Sequence, residues 1–105
     1  MKLKHSVKFG NSESAIAIAL IVANDVFFQL GYECVVTSFN DSVHSTNSLH
    51  YKDCAFDLRT KHIETIERKK EIIAKIKENL TDDFDVVFES EGKEQEHLHI
   101  EYDKK

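Results

Sequence analysis

Two short stretches hold the residue types that could do chemistry. The first is Ser48-Leu49-His50-Tyr51-Lys52-Asp53-Cys54-Ala55-Phe56-Asp57, where an aspartate follows a histidine by seven positions across what reads as a turn into a strand. The second, Glu96-His97-Leu98-His99, lies near the C-terminus. Imidazole nitrogens and carboxylate oxygens are the donors of a catalytic zinc site, which takes three protein ligands and keeps one position open for water. His97 and His99 share one face of a strand, so a His and an Asp from the first stretch would complete a converging N/O set. A plainer reading stands beside this one: Asp57 pairs with Arg59 or Lys61, and the histidines simply face water. His5, His44 and His62 lack such company and are read as ordinary core or surface residues, although the loop of His44 borders the site.

The remaining elements must carry these two stretches to one place. With 105 residues the chain forms one domain, residues 1–105, with a single core. A hydrophobic share of 41% and a charged share of 31% suit a globular chain. The net charge of −5 argues against nucleic acid, because phosphate binding needs a basic face. Two cysteines, Cys34 and Cys54, are too few for a disulfide scaffold. Both read as buried thiols, with a bridge between neighbouring strands left open. The lysines before the apolar run 15–22 mimic an export signal, but the polar stretch 11–14 interrupts the approach and the pattern continues past Ala23. The run also falls short of the roughly 18 residues that a membrane span needs. The expectation is a chain without its own signal peptide and without a membrane span.

A helix is expected over about 13–30, apolar around most of its circumference and therefore buried on more than one side. Gly31 follows where a left-handed cap belongs. Residues 34–38 read as a strand, and the polar run 39–47 as a loop overhanging the site. Along 54–58, Cys54, Phe56 and Leu58 point to the core, and Ala55 and Asp57 point away. A second helix is expected over about 63–80, with Ile63, Ile66, Ile73, Ile76 and Leu80 as its apolar stripe. The strands 85–89 and 97–102 form a hairpin around a charged turn. The fold class expected is α+β: two helices packed on a small, mainly antiparallel sheet, with the candidate site on the opposite sheet face. Residues 3–9 admit either a strand or an irregular arm.

Read together, Ser48-x-His50, Ala55-x-Asp57 and Glu96-x-x-His99 within a His-x-His resemble the zinc D-Ala-D-Ala peptidases and peptidoglycan endopeptidases of the M15 type. That family's pattern is Ser-x-His-x-x-Gly-x-Ala-x-Asp followed by Glu-x-x-His or His-x-His. The resemblance covers roughly residues 35–103, and the paired motifs are more specific than either alone. It implies a D-Ala-D-Ala-peptidase-like (hedgehog-like) fold with Zn2+ held by His50, Asp57 and His99. It also implies that Glu96 is the general base, that His97 steadies the oxyanion or orients substrate, and that Ser48 binds the peptide backbone. The implied reaction is hydrolysis of amide bonds in peptidoglycan stem peptides. An enzyme of this kind without its own signal would be phage-encoded, made in the cytoplasm and acting on the bacterial wall.

This sequence departs from the pattern at two points. Asp53 replaces the family glycine; if positive φ is required there, Asp is among the residues that tolerate it. The arginine that the carboxypeptidase branch carries upstream of Ser-x-His, to hold the substrate's terminal carboxylate, has no counterpart, since Arg59 and Arg68 both lie downstream. That favours endopeptidase over carboxypeptidase action. Strand alternation also sets Glu96 against His97 and His99 unless the chain bends before the strand, which makes Glu94 and Glu101 rivals for the base. The alternative functions are a non-catalytic metal-binding domain of the same fold and a metal-free interaction domain.

Overall fold

The computed structural model describes the backbone of residues 2–3, 14–43 and 52–102, and the side chains of 16–39 and 55–102. Within them run β1 (Lys2–Leu3), α1 (Ser14–Gln29), β2 (Val35–Val43), β3 (Lys52–Arg59), α2 (Ile66–Asn79), β4 (Phe84–Glu89) and β5 (His97–Tyr102). The strands form one sheet in the order β1-β2-β3-β5-β4. Only the β1–β2 pair is parallel; the other three pairings, β2–β3, β3–β5 and β4–β5, are antiparallel. This is the expected α+β architecture.

Alternation decides which face of the sheet each residue serves. Phe56, Leu58, Leu98 and Ile100 are almost wholly buried, and they share one core with Ile16, Ala19, Ala23 and Phe27 of α1 and Ile72, Ile73 and Ile76 of α2. Both helices therefore cover the same sheet face. The intervening residues, Asp57 on β3 and His97 and His99 on β5, lie on the other.

Local chemistry sets the ends of the helices. Gly31, at φ +88, closes α1. Its amide donates to Phe28 O at 3.0 Å and that of Tyr32 to Phe27 O at 2.8 Å, the paired bonds of a Schellman cap. Thr65 caps α2, its hydroxyl accepting from the Arg68 amide at 3.2 Å. Helix α2 thus starts after Ile63, which is buried in the preceding turn rather than in the helical stripe.

Two expectations need correction. Residues 39–43 belong to β2, not to a loop: Phe39 pairs with Phe56, and pairing continues to Val43 opposite Lys52. Backbone bonds to β3 outweigh the turn-prone side chains of this run. Helix α1 is buried on one side only, since Ile18, Ile21 and Phe28 are exposed at 57%, 67% and 78%. Among the described residues nothing covers that outer face. No described helix is long and apolar enough to cross a membrane. Cys34 is a buried free thiol, and burial pushes its pKa up to about 12.

A candidate metal centre on the open sheet face

The site is assembled by register. Asp57 on β3 stands opposite His99 on β5, and Arg59 opposite His97. On the far side of β5, Val87 and Glu89 of β4 face His99 and His97. Next to Asp57, β2 carries an irregularity between Val36 and Ser38, where Thr37 donates its hydroxyl to Asp57 O at 3.4 Å. Bulges of this kind re-aim side chains beside functional sites.

Asp57 and His99, 42 residues apart in sequence, meet with Oδ1 and Nδ1 at 2.7 Å. His97 Nε2 lies 3.9 Å from the same carboxylate oxygen. One potential ligand atom from each of the three side chains falls within 4.8 Å of the others. Neighbouring ligands on a tetrahedral zinc stand about 3.3 Å apart, given metal–ligand bonds of about 2.0 Å. The observed 2.7 and 3.9 Å bracket that spacing. All three side chains are about one-quarter exposed, so an ion could reach them.

The surrounding bonds orient these rings as metal ligands are usually oriented. His97 Nδ1 lies 2.7 Å from the Gln95 carbonyl, which can only accept, so this nitrogen carries the proton and Nε2 points to the centre. Glu89 Oε1 is 3.0 Å from that Nε2. His99 Nε2 lies 3.1 Å from Glu101 Oε1, a carboxylate behind the imidazole. Burial alone would push both histidines down. For His97 this is outweighed by the Gln95 carbonyl, Glu89 and Asp57, and for His99 by Glu101 and Asp57, so both are raised. This is a group of carboxylates and imidazoles that a divalent cation could hold together. Asp57 has its hydrogen bond with His99, and neither Arg59 nor Lys61 is its partner.

Glu96 sits in a different environment. It is the residue before β5, 7% exposed, and its carboxylate accepts from Thr60 Oγ1 at 2.6 Å, Lys69 Nζ at 2.6 Å and the Gly92 amide at 2.9 Å. Burial would raise its pKa, but these three donors, Lys69 foremost, lower it to about 2. Gly92 can present its amide because it adopts φ +78, where other residues are strained. The structure thus brings together Asp57, His99 and His97, and does not set the Glu96 carboxylate among them. His97, expected to act on the oxyanion, offers the third potential ligand atom among the described residues. Ser48 and His50, the expected substrate contact and third ligand, lie outside those residues, as does the side chain of Asp53. Glu89 was missed by the sequence reading. Its place opposite His97 follows from a hairpin register that spacing alone does not reveal.

No family model, curated protein or solved structure matches this chain.

Proposed function

We propose that this protein is a zinc-dependent hydrolase of the M15 type, with the D-Ala-D-Ala-peptidase-like fold, that cleaves amide bonds in peptidoglycan stem peptides. One observation carries the reading: Asp57 and His99, two positions that the family resemblance pairs as ligands, lie side by side with His97 on the sheet face away from the helices. Asp57, His99 and His97 would hold the ion, with His50 as the further imidazole that the resemblance supplies. A zinc ion there would bring the pKa of bound water to about 7 and polarise the scissile carbonyl. Gln95 and Glu101 fix the rings of His97 and His99 from behind. A proton acceptor must also stand at the reacting water. Glu89 and Glu101 already flank the histidines, whereas Glu96 can serve only by leaving Lys69 and Thr60. A phage-type enzyme acting on the bacterial wall fits this chemistry.

A second reading, a non-catalytic metal-binding domain, is favoured by the engagement of Glu96 with three donors. Digestion of purified peptidoglycan with and without a chelator, followed by mass analysis of the fragments, separates the two. The hydrolase reading expects peptide fragments that vanish with chelator and return with zinc. Stoichiometric zinc with no fragments would leave only the second reading. Within the hydrolase reading, Glu96→Gln tests the base: lost hydrolysis with zinc and fold intact selects Glu96, and retained hydrolysis leaves Glu89, Glu94 and Glu101, of which Glu94 lines the groove beside Asp57 and His97.

A further inference from the structure

Strand β4 ends the sheet, and among the described residues no strand pairs with its outer edge. In an antiparallel strand every second residue turns its N–H and C=O away from the neighbour, so such an edge offers hydrogen bonds to another chain. Several usual protections are missing here. Phe84-Asp85-Val86-Val87-Phe88-Glu89 contains no proline and no lysine, and it pairs with β5 without a bulge.

The core also runs out at this edge. Leu98 and Ile100 of β5 are fully buried, whereas Phe88 and Val86 opposite them, and Phe84 beyond, are only partly buried. On the open face Val87 is 46% exposed. Phe84, Asp85, Val86 and Val87 all line one groove of about 550 Å³ together with Leu80. Successive residues of a strand face opposite sides, so a groove that touches all four follows the strand's edge.

The pattern of the strand matches itself. A second β4, antiparallel about a two-fold axis at Val86, sets Phe84 against Phe88, Val86 against Val86, and Asp85 against Val87. Apolar core-facing side chains then meet apolar ones, no acid of the strand faces another, and Glu89 falls past the end of the partner strand. Other registers fail. A slip of one residue sets core-facing side chains against open-face ones. An axis at Val87 sets Asp85 against Glu89 twice, and one at Asp85 sets that acid against itself. Complementarity of one patch to itself is what a two-fold contact requires.

We propose that the β4 edge is a homodimer interface, at which two copies of this chain pair in that register and join their sheets into one. The axis stands perpendicular to the sheet, so the helices of both copies stay on one face and both candidate metal centres share the other. The two β5 strands lie about 14 Å apart, three strand spacings of about 4.8 Å. One short strand is a small contact beside the roughly 800 Å² per partner of a standard interface, so exchange between monomer and dimer at micromolar concentration is expected. This interface depends neither on metal nor on hydrolysis.

The test is sedimentation of the full chain in chelator, from micromolar to millimolar concentration, with wild type and two variants of Val87. That side chain lies on the open face, so either charge leaves the core intact, and circular dichroism checks the fold. Val87→Asp meets Asp85 of the second copy at two symmetric places and should raise the dimer dissociation constant about 10-fold. Val87→Lys meets the same acids and should dimerise at least as tightly as wild type. Hydrogen exchange of wild type should slow along β4 as concentration rises. A chain that stays monomeric throughout, a dimer indifferent to Val87→Asp, equal weakening by both variants, or protection that bypasses β4 would each overturn the proposal.

Discussion

Adjacent residues of one strand entry build two charged clusters that differ in kind. Glu96 turns toward α2 and is met by Lys69, Thr60 and the Gly92 amide, a buried carboxylate with three donors from the protein itself. His97 and His99 turn the other way, where Asp57, Glu89 and Glu101 gather around two imidazoles and, among the described residues, no lysine or arginine pairs with them. In the first cluster the protein supplies the countercharge. In the second, carboxylates outnumber the groups that can balance them, and the balance depends on protons or on an ion from solution. A self-sufficient cluster reads as structure, and one that could take an outside cation is a candidate binding site.

The sharpest break between the two comes from Lys69→Met. It leaves Glu96 buried without its main partner, and a loss of about 3–5 kcal/mol is expected. Denaturant unfolding measures it, and folded protein should still take up zinc. Asp57→Asn and His99→Ala should do the reverse, lowering zinc affinity beyond the roughly 10–100-fold that outer partners carry. Stability of the metal-free protein should change far less, and competition with a chromophoric chelator reads the affinity. Comparing His50→Ala with His97→Ala in that assay identifies the third ligand: whichever loses more holds the ion.

Smaller effects sharpen the comparison. Glu101→Gln removes a carboxylate behind His99, and a fall of about 10-fold in zinc affinity is expected, toward the low end for such partners. The two clusters also respond to pH in opposite directions. The folded pKa of His97 and of His99 is raised, so their contribution to metal-free stability is complete below the ordinary histidine value and is lost as pH rises through the raised ones. The folded pKa of Glu96 is lowered from 4.5 to about 2, so its contribution is present above 4.5 and is lost as pH falls toward 2. Thermal melts in chelator across this range should show stability declining at both ends. A flat alkaline limb would remove the histidine–carboxylate pairs from the account.

Periodicity carried most of the architecture. Alternation along Phe56-Asp57-Leu58 and His97-Leu98-His99-Ile100 already sorts core from site, because a strand leaves a side chain no third direction. Gly31 marked the end of α1, since φ +88 suits few other residues. The polar run through Asn40 and Asp41 misled, because pairing with β3 is a long-range interaction that composition does not encode. The apolar outer side of α1 misled as well: an apolar helix signals that burial is wanted, not where a partner lies.

At the site, residue types alone could nominate His50, Asp57, His97 and His99 as donors, since imidazole and carboxylate chemistry belongs to the side chain, and His50 lies outside the described residues. Alternation could also warn that Glu96 faces the other way. Only the tertiary structure decided that Lys69, 27 residues away, would claim that carboxylate, and that Glu89 would stand against His97. Those are facts of register and helix packing, and they depend on how distant segments dock.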